Sequence, residues 1–333
     1  MTIKDLAKET GYSVGTISRV LNDQPNVSEK ARKIILECVE KSGFQLNTNA
    51  KHLKQQYGEG ILVVVTGTSN ELFSHMIEHI QRELSTTNYS LTVDYVDEKE
   101  DAVQRAVQRS RELKPQGILF LGGDDRLFAR SFGNIRLPSV LLTSDASQLE
   151  FHNLSSVTTD DTAAAQRAIE HLMSMGHQRI GIISGDITCS GPSRRRFEGC
   201  CRAYEARGLS LWEDYCVQSP FSLSGGYHAA QELLQRKQVT AIFAMSDVMA
   251  IGAIRGLNDL GLRVPEDVSV IGYDGIEMGS YYIPRLTTIG QQADLLAKRG
   301  ISLLLEGIEK HSPATHEKVP FELILNSSVA RKD

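Results

Sequence analysis

The sequence predicts an all-α head with a helix-turn-helix, followed by a two-lobed α/β core in which parallel sheets are flanked by helices. Three short segments before Gly43 show the i, i+3, i+4 spacing of apolar residues that is typical of helices. From Ile61 onward, short β-rich apolar runs alternate with helical patterns, which indicates parallel sheets covered on both faces. This alternating part spans about 270 of the 333 residues, which is large for one sheet and favours two lobes.

The composition excludes several classes of protein. Hydrophobic residues make up 41% and charged residues 23%, so large cores can form and wholesale disorder is excluded. No apolar run reaches the roughly 18 residues that a membrane-spanning helix needs, and the start, MTIKDLAKE, does not resemble a secretion signal. The cysteines are odd in number and lack CxxC spacing, so we expect reduced thiols in the cytoplasm and no metal site. They are Cys38, Cys189, Cys200, Cys201 and Cys216.

Charge is distributed unevenly along the chain. Residues 1–57 contain nine Lys/Arg and six Asp/Glu, a net charge of +3. The rest of the chain has a net charge of −8, so the whole chain carries −5. A small positive head on a larger acidic body indicates that only the head meets a polyanion. Chance is the alternative interpretation, because the excess of positive charge is modest.

Three helices are predicted in the head, each with its own start signal. Thr2 and Asp5 resemble a capping box, while Ser13 and Ser28 are of the type that caps the second and third helices. Gly11 can adopt the positive φ that a tight turn between the first two helices requires. The apolar stripes expected to pack together consist of Ile3, Leu6, Ala7, Ile17, Val20, Leu21, Ala31, Ile34, Ile35, Cys38 and Val39.

A helix, a glycine turn and a second helix form the joint that a DNA-reading helix-turn-helix requires. The first helix braces across the DNA backbone while the second enters the major groove, where Arg19 can donate two hydrogen bonds to guanine O6 and N7. A three-helix unit without a role in DNA binding is the alternative. The predicted DNA-binding residues of this helix and its start are Ser13, Val14, Gly15, Thr16, Ser18, Arg19 and Asn22, and the short polar ones among them suit phosphate oxygens.

The core is expected to bind a small molecule in the cleft between its lobes, outside the carboxyl ends of the strands. Lobe one is predicted at about 60–158 and 291–319, and lobe two at about 159–290 and 320–328. The head is assigned to 1–46 and a polar linker to 47–59. The predicted strands are ILVVVT from Ile61, SLTVDYV from Ser90, GILFL from Gly117, SVLLT from Ser139, IGIIS from Ile180, TAIFA from Thr240, VSVIGY from Val268 and ELIL from Glu322.

Signatures of catalysis are missing from the sequence. There is no GxGxxG after the first strand, P-loop, GxSxG, HExxH or metal-spaced His/Cys cluster, so we expect no enzyme, no catalytic residues and no cofactor. His177 follows Gly176 at a predicted helix end, which favours capping or packing over a role as a base. Arg194 and Arg195 are interpreted as solvated surface residues, with an anionic ligand as the alternative.

The head also carries a family resemblance. MTIKDLAKETGYSVGTISRVLNDQPNVSEKAR closely resembles the DNA-binding domain of the lactose/galactose repressor family (LacI/GalR). The resemblance implies that Val14 and Gly15 are the variable base-reading positions. It also implies that the linker is a hinge helix that orders in the minor groove, with Leu53 wedged between base pairs and Asn47 and Ala50 facing the groove or the partner hinge.

The core resembles the same family. GHQRIGIISG, SDVMAIGAIRGLNDLGLRVPEDVSVIGYDG and PRLTTIGQQ are similar to the family's effector-binding core, which is itself like periplasmic sugar-binding proteins. Arg196 then corresponds to the arginine that grips ligand oxygens, and Asp274 to the carboxylate that accepts from ligand OH or NH groups. Aromatic walls and secondary polar contacts complete the predicted ligand site, namely Phe73, Phe221, Asp160, Ser246 and Asp247. Asp247 has the alternative of capping a helix.

Together these observations predict a ligand-responsive transcriptional repressor. Two chains are expected to pair through their cores and to bind a pseudo-palindromic operator. A sugar or sugar derivative is the expected effector. The chain ends soon after the last predicted strand, without the added helix of tetrameric family members, which favours a homodimer. No contact with a membrane is expected. An activator, a corepressor-dependent regulator and a solute-binding transport protein remain as alternatives.

Overall fold

The computed structural model describes residues 3–21, 27–42, 60–67, 70–98, 100–188, 190–211 and 213–332. The chain divides into two compact units, Met1–Tyr57 and Gly58–Asp333. The first unit is the head, and the second is the core with its two sheets.

The described part of the head consists of three helices: α1 (Ile3–Thr10), α2 (Val14–Leu21) and α3 (Glu29–Ser42). Leu6, Ile17, Val20 and Ile35 are buried together and join the three helices. Ile34 was expected in this stripe, but 37% of its surface is exposed. Because each helical residue turns by about 100° from the last, the core position falls to Ile35 alone.

Lobe one contains a sheet of six parallel strands in the order β11-β5-β4-β3-β1-β2. Its strands are β1 (Gly60–Thr66), β2 (Ser90–Val96), β3 (Gly117–Leu121), β4 (Ser139–Leu142), β5 (Leu154–Thr159) and β11 (His316–Val319). The helices that belong to it are α4 (Glu71–Leu84), α5 (Ala102–Leu113), α6 (Asp125–Ser131) and α12 (Ala293–Lys310), with 3-10 turns at Phe132–Asn134 and Ser147–Leu149.

Lobe two contains a second six-stranded sheet, in the order β12-β10-β9-β8-β6-β7. Its pairs are parallel except for β10 with β12. Its strands are β6 (Ile180–Ser184), β7 (Cys216–Gln218), β8 (Ala241–Ala244), β9 (Ser269–Asp274), β10 (Thr287–Gln291) and β12 (Phe321–Ile324). Its helices are α7 (Asp161–Ser174), α8 (Gly191–Glu205), α9 (Leu223–Arg236), α10 (Asp247–Asp259) and α11 (Glu277–Tyr281), with a 3-10 turn at Glu213–Tyr215.

All eight predicted strands are present, and their apolar character follows from their position. The five residues of β3 and the five of β6 are buried on both faces of their sheets, which requires continuous apolar runs rather than alternation. Four further strands, β5, β7, β10 and β11, were not predicted. They are short or rich in Thr, Ser and charged residues, because β7 and β11 lie at sheet edges and β5 and β10 lead towards the junction of the lobes.

The chain passes between the two sheets at three places. Thr159 at the end of β5 is followed by α7, Gln291 at the end of β10 is followed by α12, and Pro320 alone separates β11 from β12. The first two crossings are joined directly, since Oγ1 of Thr159 donates a hydrogen bond of 3.0 Å to Oε1 of Gln291. The lobes are therefore connected by strands that end at the same junction.

Candidate functional site

The turn before α2 presents this helix on the surface of the head. Gly11 has a φ of +72°, as a tight turn after α1 requires. Oγ of Ser13 accepts a hydrogen bond of 3.1 Å from the backbone N–H of Thr16, so Ser13 caps α2 as predicted. The hydroxyls of these two residues are 2.9 Å apart and bonded to each other, which holds both at the start of the helix.

The exposed face of α2 contains three of the predicted base-reading residues. Val14 is 41% exposed, and Gly15 and Arg19 are exposed as well. A valine methyl can contact the thymine methyl, and an exposed guanidinium can reach guanine. Asn22, Asn47, Ala50 and Leu53 lie outside the described residues, as does the side chain of Ser18.

Several residues predicted for the ligand site follow the carboxyl ends of strands, where the cleft between the lobes is expected. Each of the two predicted aromatic walls lies against a glycine next to a strand end. A Cβ on Gly122, whose φ is +74°, would lie 3.1 Å from Cζ of Phe73, and a Cβ on Gly185 would overlap the ring of Phe221. Phe73 is 8% exposed and Phe221 is half-buried, so Phe221 has more surface left for a ligand.

Arg196 is buried in lobe two and contacts Asp161, Met245 and Tyr273. Its Nε donates a 2.8 Å hydrogen bond to Oδ1 of Asp161, and its Nη1 donates one of 2.6 Å to the carbonyl of Met245. The guanidinium carbon lies 3.7 Å from the ring centre of Tyr273, which favours a cation–π contact. These contacts fix the orientation of the guanidinium before any ligand arrives.

Asp274 ends β9 with a φ of +120°, an unusual value for a residue other than glycine. Its Oδ1 accepts a 2.9 Å hydrogen bond from Nε2 of Gln291. Burial raises the pKa of Asp274 to about 7, although the charge of Arg196 partly opposes that rise. The carboxylate is thus a buried acceptor linked through Gln291 to the junction of the lobes.

The three secondary polar residues have structural partners. Oγ of Ser246 accepts a 3.2 Å hydrogen bond from the backbone N–H of Met249, so the cap of α10 is Ser246 and the alternative of a capping Asp247 is wrong. Asp247 instead accepts from the backbone N–H groups of Gly275 and Ile276 and from the Thr288 hydroxyl, at 2.7, 2.8 and 2.6 Å. Burial raises its pKa to about 6.

Asp160 caps the helix that begins lobe two. It accepts a 3.1 Å hydrogen bond from the backbone N–H of Ala163 and lies 2.9 Å from Nζ of Lys318. At the first crossing, Asp160 therefore accepts from one backbone N–H of the first turn of α7, and Lys318 balances its negative charge. A role of Asp160, Ser246 or Asp247 in ligand binding stays a prediction.

Sequence reasoning missed two buried residues beside the cleft. Asp161 has a side chain that is 1% exposed, and its Oδ2 has no hydrogen-bond partner in the described chain. Ser193 is fully buried, and its Oγ, 2.6 Å from where a Cβ of Gly185 would be, has none either. Asp161 could have been found from its place beside Asp160 after a strand; no pattern singles out Ser193.

Two other sequence-based interpretations are settled by contacts. Arg194 and Arg195 are not simply solvated, because both contact the carboxylate of Asp125, at 3.0 and 3.3 Å. His177 is buried and packed as predicted, with its ring nitrogens 3.1 Å from the Thr240 hydroxyl and 3.0 Å from the carbonyl of Ala330.

Comparison with known proteins identifies the family. The family model described as "Bacterial regulatory proteins, lacI family" matches residues 2–47, and the "Periplasmic binding protein-like domain" matches residues 169–329. A relative from Clostridium butyricum, the HTH-type transcriptional regulator MalR, is 31% identical over 98% of this chain and 99% of its own. The chain belongs to the LacI family.

Solved structures of LacI-family proteins agree with this assignment. The Lac repressor dimer bound to operator and the anti-inducer ONPF is 26% identical, with a TM-score of 0.82, over 99% of this chain and 99% of that one. A LacI-family regulator from Enterococcus faecium with bound ribose is 27% identical, with a TM-score of 0.71, over 83% of this chain and 100% of that one. This LacI-family chain is a DNA-binding transcription regulator and not an enzyme.

Neither a membrane-spanning helix nor a metal-binding cluster occurs among the described residues of this LacI-family chain. No helix among them is long and apolar enough to cross a membrane. The same residues contain no group of three or more His, Cys, Asp or Glu side chains that could hold a metal ion.

Proposed function

We propose that this LacI-family chain is a repressor that binds a pseudo-palindromic operator as a homodimer and is switched by a sugar or sugar derivative in the inter-lobe cleft. The observation that supports the proposal is that one chain has both a head with an exposed α2 face and a core in which Arg196 is fixed and Asp274 is buried. Such a protein acts in the cytoplasm, where the operator DNA is.

The proposed DNA contacts divide into positioning and reading. Ser13 and Thr16 place hydroxyls at the N-terminus of α2, where phosphate oxygens also meet the free N–H groups of the helix. Val14, Gly15 and Arg19 face outward along the same helix and are assigned to the base edges. Phosphate contacts supply most of the affinity, so binding should fall steeply as the salt concentration rises.

The chemistry of the cleft suits a polyhydroxylated ring. A sugar hydroxyl can accept from a guanidinium and donate to a carboxylate, and Arg196 and Asp274 supply one of each. Phe221 offers an aromatic face for the apolar side of the ring, as sugar-binding sites commonly require. The ribose-bound relative from Enterococcus faecium supports this class of effector.

A surface of lobe two supports the homodimer. Tyr281 is 79% exposed and Ile283 is 87% exposed, and Met278 and Leu325 are 48% and 61% exposed. Large apolar side chains grouped in this way are typical of surfaces that a partner covers. A second copy of this chain is the proposed partner, in agreement with the dimeric Lac repressor.

The switch is assigned to the junction of the lobes. Asp274 accepts from Gln291, and Gln291 accepts from Thr159, so a ligand on Asp274 would be one hydrogen bond from the crossing at Gln291 and two from the crossing at Thr159. We assign 60–158 with 291–319 to one lobe and 159–290 with 320–328 to the other, each built around its own sheet. A change in their relation would alter the spacing of the linkers at 47–59, with a coupling of about 1–3 kcal/mol.

A thermal-shift screen of sugars and sugar derivatives tests the effector site. The chain should gain stability with at least one compound, and Asp274→Ala should lose that gain. Asp214→Ala, which changes a carboxylate that is 69% exposed in the same lobe, is the matched control. An Asp274→Ala variant that still responds normally would remove this residue from the ligand site.

A gel-shift titration against a library of duplexes at low salt tests the DNA function. The wild type should retard a pseudo-palindromic duplex, and Arg19→Ala should weaken binding about tenfold or more, since a bidentate base contact contributes ~1–3 kcal/mol. Arg82→Ala, at a side chain of α4 that is 63% exposed, serves as the charge-matched control. Failure of the wild type to retard any duplex, with or without sugars, would overturn the proposal.

A further inference from the structure

The cleft contains a group of charges that joins the lobes and that the proposed effector site does not use. Asp125 is the first residue of α6 in lobe one, and Arg194 and Arg195 are in the first turns of α8 in lobe two. Oδ2 of Asp125 accepts from Nη2 of Arg194 at 3.0 Å and from Nη1 of Arg195 at 3.3 Å. Because these residues are on different lobes, the ion pair exists only while the two lobes are close together.

The fit between the two lobes at this point depends on a glycine. A Cβ on Gly191, the first residue of α8, would overlap the Asp125 carboxylate, with the Asp125 Cγ only 2.6 Å away. The carboxylate therefore lies directly against the backbone at the start of α8. The side chain of Asp125 is 17% exposed, and burial raises its pKa although the charges of Arg195 and Arg194 oppose that rise.

The same charges extend to the proposed effector site. Nε of Arg195 lies 3.9 Å from Oδ2 of Asp161, and Oδ1 of Asp161 accepts from Arg196. Burial raises the pKa of Asp145 in lobe one, but hydrogen bonds from Ser147 and, to a smaller extent, the charge of Arg195 leave that pKa below its usual value. A row of alternating charges thus leads from lobe one, through Arg195 and Asp161, to the arginine assigned to the ligand.

We propose that Asp125, Arg194 and Arg195 form an interlobe latch, which holds the core closed without an effector and positions the two halves of the effector site. The free energy of the latch adds to the binding free energy of an effector that favours the closed core. It opposes the binding free energy of an effector that favours the open core. The latch residues are positioning residues, since they act through the relation of the lobes. The proposal rests on the proposed two-lobed receptor, but its test needs neither DNA nor effector.

Hydrogen–deuterium exchange of the full chain, alone in buffer, tests the latch. In Asp125→Asn, amide exchange should rise about tenfold at residues 122–128 and 190–197, one segment on each lobe, because the attraction between opposite charges across the lobes is lost. Exchange in β2, at the far edge of the lobe-one sheet, should not change. Wild-type protein in 1 M NaCl should show the same local increase, since salt screens a partly exposed ion pair.

Gly191→Ala disturbs the same contact from lobe two and should give the same pattern. Gly133→Ala is its control, because a Cβ there meets no atom within 4 Å. Glu78→Gln, which breaks an ion pair with Arg82 inside lobe one, is the control for Asp125→Asn. Unchanged exchange at both segments, or an equal rise throughout the chain, overturns the latch; if one variant fails to fold, the other decides. Absence of DNA binding would overturn the proposed function and leave this result standing.

Discussion

Replacing Asp274 by Asn should stabilise the effector-free protein at neutral and alkaline pH. Burial raises the pKa of Asp274 from 3.8 to about 7, which means that the folded core disfavours the ionised form. Asn keeps an oxygen for Gln291, carries no charge, and tolerates the positive φ of this position better than most residues. If Asp274 binds the effector as proposed, its carboxylate supplies a stronger acceptor than the Asn amide would.

The magnitude follows from the pKa. At pH 8 the carboxylate is ionised in both states, and a rise from 3.8 to about 7 corresponds to about 4 kcal/mol of lost stability. As the pH falls below 7, the folded state takes up a proton before the unfolded state does, so this loss shrinks to about 2 kcal/mol at pH 5. The new amide N–H needs an acceptor, so at least about 1 kcal/mol of the gain should remain at pH 8.

Urea unfolding of wild type and Asp274→Asn at pH 8 and pH 5 measures the effect. The variant should have the higher midpoint at pH 8 and a smaller advantage at pH 5. Asp214→Asn, at an exposed carboxylate, should change neither midpoint appreciably. A variant that is no more stable at pH 8, or whose advantage is independent of pH, would refute the reasoning that the buried charge is costly.

Three further predictions concern the head and the hydrogen bond between Thr288 and Asp247 in the core. Ile35→Ala should destabilise the head by ~2–4 kcal/mol in thermal unfolding, whereas Ile34→Ala, one residue away but 37% exposed, should cost far less; equal losses would contradict the packing. Ser13→Ala should cost about 1 kcal/mol of stability through the lost cap and should weaken duplex binding in gel shifts; an unchanged melting temperature would argue against the cap. Thr288→Val should destabilise the core by ~1–3 kcal/mol in urea titrations because the buried Asp247 loses its hydroxyl donor, and a neutral result would show that its two backbone donors suffice.

The head was predictable because its signals are local. Gly11 predicts a turn through its backbone freedom, and Ser13 predicts a helix cap through its hydroxyl. Both residues have these roles in the structure. The division between Ile34 and Ile35 was not predictable in the same way. Two adjacent apolar residues fit one stripe equally well, and only the contact with α1 and α2 selects between them.

The residues proposed for the effector site could be named from sequence motifs, whereas their contacts could not. Asp274 and Arg196 could be assigned from the motifs that contain them, and their place in the ligand site stays a prediction. Ser246 rather than Asp247 caps α10. The carboxylate of Asp247 accepts hydrogen bonds from Gly275, Ile276 and Thr288 instead. Such partners are distant in sequence, so no local pattern reveals them.

The sequence by itself determined the order of the units, the apolar strands, the turn and cap of the recognition helix, and the family. All of these depend on residues within a few positions of one another or on a continuous motif. Only the tertiary structure decided that Asp125 meets Arg194 and Arg195, that Arg196 is held by Asp161, and that Thr159 joins Gln291. These contacts link residues 35 to 132 positions apart, and their existence depends on how two sheets fold and face each other.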